Sequence, residues 1–256
     1  MGGEVFSLFD IPIQRVGFLE SLHAVLNASQ HTSVRVFFVN AYSLVLSQED
    51  RRFKRCLQLA EFCFSEGGAI NIASRFLNEP PLPSNISSVE WVPALFDLIE
   101  NSQDQEKMSL FCIGGRGEAI DSLSTEVMSR WPNIKLVGHF NQDYDPEEEE
   151  GIVNIIEEER PGMVLLGMDN NREEQFICRH WHRLKNCGVK IAIAGGQAID
   201  GIAGTIPITP RLARALHLEW LLQMVLDPKR FYSRYLRGGP YFAWYLMKQK
   251  GAKERK

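Results

Sequence analysis

Short runs of β-branched, aliphatic and aromatic residues recur along the chain, and each is followed by a polar or glycine-rich loop. Such a run is typical of a strand that is buried on both faces of a parallel sheet. The four clearest runs, and therefore the four predicted strands, are residues 34–39, 110–113, 163–167 and 191–196.

Amphipathic segments with helical spacing alternate with these runs. They predict helices at residues 17–27, 51–62, 91–101, 117–129, 146–159, 171–185 and 210–224. Alternation of strands and helices favours βαβ units and a doubly wound, Rossmann-like α/β sheet. Ligands of such sheets bind in the crevice at the carboxyl ends of the strands. Functional residues are therefore expected at Asn40 and in the loops 114–118, 169–173 and 197–200.

The chain has 256 residues, of which 45% are hydrophobic, enough for one large α/β domain. The sequence contains no apolar stretch of roughly 20 residues and does not begin like a signal peptide, so we expect a cytoplasmic protein. An odd number of scattered cysteines favours reduced core residues over a disulfide framework. The cysteines are Cys56, Cys63, Cys112, Cys178 and Cys187.

The net charge of −4 hides an asymmetry between the two ends of the chain. From Ile208 onward, eleven basic residues stand against three acidic ones and are interleaved with eight aromatic residues. We therefore divide the chain into a core, residues 1–207, and a C-terminal appendage, residues 208–256. The appendage is compatible with binding to an anionic membrane, a nucleic acid or a phosphorylated ligand, or with a solvated helix pair that packs its aromatic residues.

The loop that begins Gly114-Gly115-Arg116-Gly117 follows a predicted strand and opens a predicted helix. Its backbone amides could hold a phosphate, although a simple tight turn has the same pattern. Glu66 follows the apolar residues 62–64 and precedes two glycines. It is a candidate general base, and the alternative is a solvated loop glutamate.

Two sets of residues resemble metal ligands. Asp143 and Asp145 have the spacing of a cation-binding aspartate pair, but Asp145 followed by Pro146 is also a helix N-cap pattern. Cys178, His180, His182 and Cys187 could suggest zinc. Only Cys178 and His182 would share a helix face, so we predict no metal site.

The carboxyl half contains a long string of residues that resembles the WecG/TagA/CpsF family of bacterial glycosyltransferases. It runs from Gly195-Gly196-Gln-Ala-Ile-Asp200-Gly-Ile-Ala-Gly204 through Leu218-Glu219-Trp220-Leu221 and Pro228-Lys-Arg230 to Arg234-Tyr235-Leu236. Residues 111–115, 131–132 and 137–139 are similar to the family's central region. The resemblance covers roughly residues 10–245.

The resemblance implies a Rossmann-like enzyme that transfers a sugar from a UDP-sugar to a polyprenyl-diphosphate-linked sugar, with inversion and without an obligatory metal or other cofactor. The resemblance implies that the enzyme takes part in the assembly of a cell-surface polysaccharide. It also implies peripheral association with the inner face of the plasma membrane through the appendage. Nucleic acid is not an expected partner, and a homo-oligomer is compatible with the sequence.

Several site positions differ from the family pattern. Phe38-Val39-Asn40 keeps only the asparagine of threonine-x-asparagine, and Glu66 replaces an aspartate. Asn85 replaces an arginine, while Arg172 and Glu173 replace a lysine and a glutamine. Two hypotheses follow: an active transferase with Glu66 as its base, or an inactive member that binds a nucleotide-sugar, a lipid-linked glycan or a partner enzyme.

The predicted site combines these positions with the strand-end loops. Arginines from the appendage are included because a guanidinium matches two phosphate oxygens of a departing UDP. Asp200 could alternatively cap a helix. The predicted substrate-binding residues are Asn40, Gly67, Asn85, Gly114, Gly115, Asp169, Arg172, Glu173, Gln197, Asp200, Arg211, Arg214 and Arg237.

Overall fold

The computed structural model describes residues 4–102, 107–115, 119–168, 171–205 and 228–254, without the side chains of 119–121 and 228–237. The strands are β1 Val5–Leu8, β2 Ile11–Gln14, β3 Val34–Val39, β4 Phe62–Ser65, β5 Met108–Gly114, β6 Ile134–Phe140, β7 Met163–Gly167 and β8 Ile191–Ala194. The helices are α1 Phe18–Ser29, α2 Ala41–Glu49, α3 Arg51–Leu59, α4 Gly68–Phe76, α5 Ser88–Glu100, α6 Ala119–Arg130, α7 Glu149–Glu159, α8 Arg172–Cys187, α9 Ala198–Ile202 and Pro228–Lys253, here called α10.

A six-stranded parallel sheet with the order β4-β3-β8-β7-β5-β6 forms the centre of the molecule. The four strands predicted from sequence are its inner strands, and every residue of β3, β7 and β8 is buried. Helices cover both faces, so the predicted Rossmann-like α/β fold is confirmed. The two edge strands, β4 and β6, were not among the predicted strands.

Alternate residues of each central strand enter two hydrophobic clusters, one on each face of the sheet. Phe37 and Leu166 belong to the cluster under α2, α3, α7 and α8, whereas Phe38 and Leu165 belong to the cluster under α1, α5, α6 and α9. The neighbouring strands β3 and β8 are therefore followed by helices on opposite faces. Their carboxyl ends form a topological switch point, where the chain opens a crevice.

The helix α10 packs against α2 and against an N-terminal β-hairpin, β1 with β2, that the sequence patterns did not predict. Phe242 of α10 meets Phe9 with ring centroids 5.5 Å apart. The Gln249 amide accepts a hydrogen bond from the Phe9 amide at 2.9 Å and donates one to the Ser7 carbonyl at 3.1 Å. Residue 208, the predicted start of the appendage, and the predicted helix 210–224 lie outside the described residues. No helix in the described ranges is both long and apolar enough to cross a membrane.

A disulfide links Cys56 of α3 to Cys178 of α8 across 122 residues of sequence. The expectation that all five cysteines are reduced was therefore wrong for this pair. Packing of α3 on α8 brings the two Cα atoms to 5.8 Å, within the range that a disulfide spans. Spacing along the sequence carries no sign of this contact. The other three cysteines are free.

This pairing predicts the number of reactive thiols. In denaturant without reductant, a thiol reagent should titrate three groups per chain, and five after reduction. In the native state, burial raises the pKa of the Cys63 and Cys112 thiols far above its ordinary value, so both should resist alkylation at pH 8. Five thiols in unreduced denatured protein would contradict the disulfide.

An ion-pair cluster fastens the end of α10 to the end of α4. Glu79 binds Lys253 and, at 3.0 Å, Arg15. The hydrogen bond from Lys253 is the main cause that lowers the pKa of Glu79. A lowered folded-state pKa means that this contribution to stability is complete above the unfolded pKa and is lost as pH falls through the folded one.

We therefore expect Glu79→Gln to lower the thermal unfolding temperature at neutral pH and to have a shrinking effect as the pH falls below about 4. The effect should be small, below about 1 kcal/mol, because the pair is largely solvated. Calorimetry of both proteins from pH 3 to 7 measures it. A difference that grows towards low pH would contradict this assignment.

Candidate active site

Glycines end three adjacent strands at the carboxyl edge of the sheet, β8, β7 and β5. A Cβ on Gly114, where φ is +131°, would overlap the backbone of Gly167, and a Cβ on Gly167 would stand 2.8 Å from the Gly196 carbonyl. The Gly115 amide donates to the Gly167 carbonyl at 3.1 Å. Only glycine allows this close approach of backbones. Gly114 and Gly115 thus lie at the crevice as predicted, while residues 116–118 of the same loop lie outside the described part of the chain.

Asn40 follows β3 and begins α2 at the switch point. Its side-chain oxygen accepts hydrogen bonds from the Tyr42 and Ser43 amides at 3.0 and 3.1 Å, and the Ser43 hydroxyl accepts one from the Asn40 amide. This is a reciprocal N-cap, so the asparagine has a structural role in addition to its position at the crevice. Its side-chain NH₂ group is the part suited to a ligand.

Glu66 directly follows β4 and is partly buried. Its Oε1 accepts two hydrogen bonds, both of 2.9 Å, from the amide and the hydroxyl of Ser88 at the start of α5. Gly67, with φ of +84°, has open space where a side chain would stand. A carboxylate is thus fixed at the carboxyl edge of the sheet, with open space at the neighbouring Gly67.

Two buried polar side-chain atoms lie on the chain segments next to Glu66. Ser65 Oγ and Asn85 Oδ1 are inaccessible to solvent and form no hydrogen bond with the described residues. Their segments adjoin, because the Ile86 amide donates to the Ser65 carbonyl at 2.8 Å. Buried polar groups nearly always have partners. The segment that carries Asn85, a predicted substrate-binding residue, lies beside the end of β4.

The crevice wall continues from α5 to the start of α8. Ser88 Oγ lies 3.7 Å from the point that a Cβ on Gly196 would occupy. The Gly196 amide donates to Glu173 Oε2 at 2.9 Å. The structure thus joins Glu66, Ser88, Gly196 and Glu173 into one continuous group. Glu173 itself is only 7% exposed, so its carboxylate orients the loop after β8.

Gln197 and Asp200 continue this loop into α9. Gln197, and not Asp200, is the N-cap of α9, and it is partly buried. Asp200 lies in the first turn and is 5% exposed. A carboxylate in this position is favoured by the helix dipole.

Arg172 is not brought to Glu66. Its guanidinium lies over the Tyr144 ring, 5.1 Å from the centroid, and donates to the Gln142 carbonyl at 3.2 Å. It therefore faces the β6 side of the sheet, the edge opposite to β4. Burial raises the pKa of the Tyr144 hydroxyl. Contact with Arg172 lowers the same pKa, but by less, so the net direction is upward.

The remaining predicted site residues, Asp169 and the three arginines of the appendage, fall wholly or partly outside the described part of the chain. Asp169, Arg211 and Arg214 lie outside it altogether, and the side chain of Arg237 is not described. The neighbouring residue Gly238 packs on α2: a Cβ there would lie 3.2 Å from the Tyr42 ring. This part of α10 is therefore beside the start of α2, at the rim of the crevice.

Neither set of possible metal ligands has the geometry of a metal site. Asp145 caps the 3-10 helix Pro146–Glu148 and exchanges hydrogen bonds with its third residue, which confirms the N-cap interpretation. Cys178 is in the disulfide, and His180 Nε2 lies 2.7 Å from Glu149 Oε1. In the part of the chain that the structure describes, no three His, Cys, Asp or Glu residues are grouped as ligands.

The sequence analysis singled out neither Ser88, which donates two hydrogen bonds to Glu66, nor Ser65, which precedes it. Serine is common at helix starts and strand ends, so neither residue stands out from its neighbours. The one available signal was their position: Ser65 precedes the candidate base, and Ser87-Ser88 opens the next helix.

In a doubly wound sheet, a carboxylate and glycines at the carboxyl ends of the strands lie where α/β proteins bind their ligands. The chain matches the model of the glycosyl transferase WecG/TagA/CpsF family over residues 6–256 and belongs to this family. It is therefore a glycosyltransferase.

Two relatives have the same name, N-acetylglucosaminyldiphosphoundecaprenol N-acetyl-beta-D-mannosaminyltransferase. The chain is similar to the Staphylococcus aureus enzyme, with 24% identity over 225 residues, 87% of this chain and 84% of the relative. It is also similar to the Bacillus spizizenii enzyme, with 23% identity over 185 residues, 72% of this chain and 68% of the relative.

Proposed function

We propose that this protein transfers a sugar from a UDP-sugar to the sugar of a polyprenyl-diphosphate-linked acceptor, with inversion, in the assembly of a cell-surface polysaccharide. Both relatives support the acceptor class, because each is named for its action on N-acetylglucosaminyldiphosphoundecaprenol. The observation that carries the proposal for this chain is the geometry of Glu66, which is fixed through one oxygen beside the glycine-lined crevice.

The chemistry follows from that geometry. Glu66 takes the proton of the acceptor hydroxyl as the hydroxyl oxygen bonds to the anomeric carbon of the donor. The bond between this carbon and the UDP oxygen breaks, and its electron pair leaves with UDP. Direct attack from the face opposite UDP inverts the anomeric carbon, and Glu66 holds the proton at the end of the step.

The leaving diphosphate needs positive charge or aligned amides. The candidates are Arg211, Arg214 and Arg237 of the appendage, because the amides of Gly115 and Gly196 already donate to the Gly167 carbonyl and to Glu173. Arginine suits this task because its planar fork matches two phosphate oxygens. The proposal uses no obligatory metal.

A further part of the proposal is peripheral attachment to an anionic membrane. One face of α10 exposes Tyr241, Trp244 and Met247, of which 50%, 51% and 58% of the surface is accessible. The opposite face holds Phe242 and Leu246 in the core. Aromatic side chains beside lysines are suited to the interface between lipid headgroups and acyl chains.

The exposed apolar face extends onto the neighbouring helix α4. Lys250 of α10 lies 4.3 Å from the Phe76 ring centroid, which places α4 beside this face. Ile72 and Phe76 are 69% and 40% exposed. Lys248 lies over the Trp244 ring at 5.5 Å and adds positive charge. Because Gly238 of the same helix meets α2, attachment here would hold the crevice close to the lipid-linked acceptor.

The test of the proposed function is a transfer assay with a panel of UDP-sugars, UDP-N-acetylmannosamine included. Purified protein would be incubated with N-acetylglucosaminyl-diphospho-polyprenol and each donor, and the mass of the lipid product would be measured by mass spectrometry. We expect one donor to add a single sugar residue. Binding of UDP and acceptor without transfer from any donor would favour the inactive, ligand-binding alternative.

A further inference from the structure

We propose that Ser88 is a positioning residue that aims the second carboxylate oxygen of Glu66 at the acceptor hydroxyl. This inference rests on the proposed role of Glu66. Ser88 is 2% exposed and donates both its amide and its hydroxyl to the same oxygen, Oε1, at 2.9 Å. The other oxygen, Oε2, forms no hydrogen bond with any residue that the structure describes. One oxygen is thus used for fixation, and the other is left for chemistry.

Two donors on one residue restrict a flexible side chain. Glutamate loses appreciable rotamer entropy when it is ordered, and a base that is already ordered does not lose that entropy at the moment of reaction. Hydrogen bonds to a carboxylate are stronger than neutral ones, and Glu66 also lies at the positive end of α5, a helix of 13 residues. Both effects hold Oε1 in place.

Ser88 is itself rigidly placed. It is the first residue of α5, and the buried residues Trp91, Val92 and Leu95 of that helix anchor it in the core. Its hydroxyl lies close to Gly196 at the end of β8. The hydroxyl therefore connects Glu66 to the part of the crevice where the switch point opens.

A purely structural explanation exists for the same contacts. Ser87 is the N-cap of α5 but forms no side-chain cap hydrogen bond, so Glu66 could serve only to satisfy the helix start. That role would affect stability. With a structural role, removing the Ser88 hydroxyl would lower turnover equally whether or not residue 66 is a carboxylate. With a positioning role, the loss of turnover would require the Glu66 carboxylate, and this difference can be measured.

The experiment compares Ser88→Ala with the neighbouring control Ser87→Ala, each in the wild-type and the Glu66→Gln background. With the donor identified by the panel, Ser88→Ala should lower kcat about tenfold, the worth of one well-placed hydrogen bond, with KM and UDP affinity within about twofold. In the Glu66→Gln background the same change should have almost no effect on kcat, because Ser88 then holds an amide that cannot act as a base. Ser87→Ala should match its parent in both backgrounds.

Three results would overturn the proposal. They are an unchanged kcat in Ser88→Ala, an equal loss in both backgrounds, or a loss that thermal unfolding at the assay temperature fully explains. If the wild type transfers no sugar, the proposed function fails first. The contact is then tested alone by ¹³C NMR of glutamate-labelled protein: Ser88→Ala, but not Ser87→Ala, should move the Glu66 carboxyl signal, and an unmoved signal would refute the positioning role.

Discussion

Replacing Glu66 with glutamine is expected to lower turnover by about two to four orders of magnitude, the usual contribution of a positioned base. Glutamine has the same shape but cannot take a proton at Oε2. Its oxygen can still accept from Ser88, so the start of α5 should remain intact. Steady-state kinetics measures turnover, and calorimetric titration with UDP should give an affinity close to that of the wild type.

The matched control is Glu158→Gln, which changes an exposed glutamate at the far end of α7. Its turnover should equal that of the wild type. Full turnover in Glu66→Gln would remove Glu66 from the mechanism. A fall in turnover together with a lost UDP affinity or a lowered unfolding temperature would show that Glu66 acts through the fold.

The second large effect concerns the exposed face of α10. Replacing both Tyr241 and Trp244 with serine should weaken binding to anionic vesicles by about ten- to a hundredfold, because burying a large apolar side chain contributes roughly 1.5–3 kcal/mol and both side chains are already half-covered. The core residues Phe242 and Leu246 stay unchanged, so the fold should persist. Flotation with phosphatidylglycerol vesicles at low and high salt measures the binding.

The control for this face is Leu19→Ser with Met128→Ser, which removes two apolar side chains that are 68% and 67% exposed on helices of the other cluster. This variant should float like the wild type. If wild-type protein stays soluble at low salt, the membrane proposal fails. If the Tyr241 and Trp244 variant instead loses a dimer seen by light scattering, the face binds a second copy of the chain.

The basic residues near the end of the chain divide into two groups. Lys253 pairs with Glu79 and Lys250 lies on Phe76, so these two hold α10 in place as well as adding charge. Lys248 faces outward beside Trp244, and Arg255 and Lys256 lie outside the described residues. Each basic residue near an anionic surface adds on the order of 1 kcal/mol, screened by salt.

The fold was largely predictable because its inner strands are unambiguous in sequence. β7 and β8 are continuous apolar runs and β3 is interrupted only by Arg35, a pattern typical of strands covered on both faces. β4 was not predicted because it has only four residues and begins soon after α3. The helical pattern of residues 51–62 runs into Phe62, the first residue of β4. β6 was missed because it lies at the sheet edge and is only partly buried, so its pattern is mixed.

The site was predictable as a region but not as a set of contacts. Glycines at strand ends and a glutamate before Gly67 can be recognised in sequence, because backbone approach requires glycine and a base requires a carboxylate. The contact between Glu66 and Ser88 depends on how α5 meets β4, and Arg172 turns to Tyr144 for reasons of packing. The Cys56 and Cys178 pair likewise depends on tertiary structure alone.

The most direct measurement is a crystal structure with UDP and a short-chain polyprenyl-diphosphate sugar. The account predicts UDP along the glycine-ended strands and an acceptor hydroxyl within about 3.2 Å of Glu66 Oε2, the reach of a general base. An acceptor hydroxyl separated from Glu66 by more than one water layer, or UDP bound on the face of α7 and α8, would contradict it.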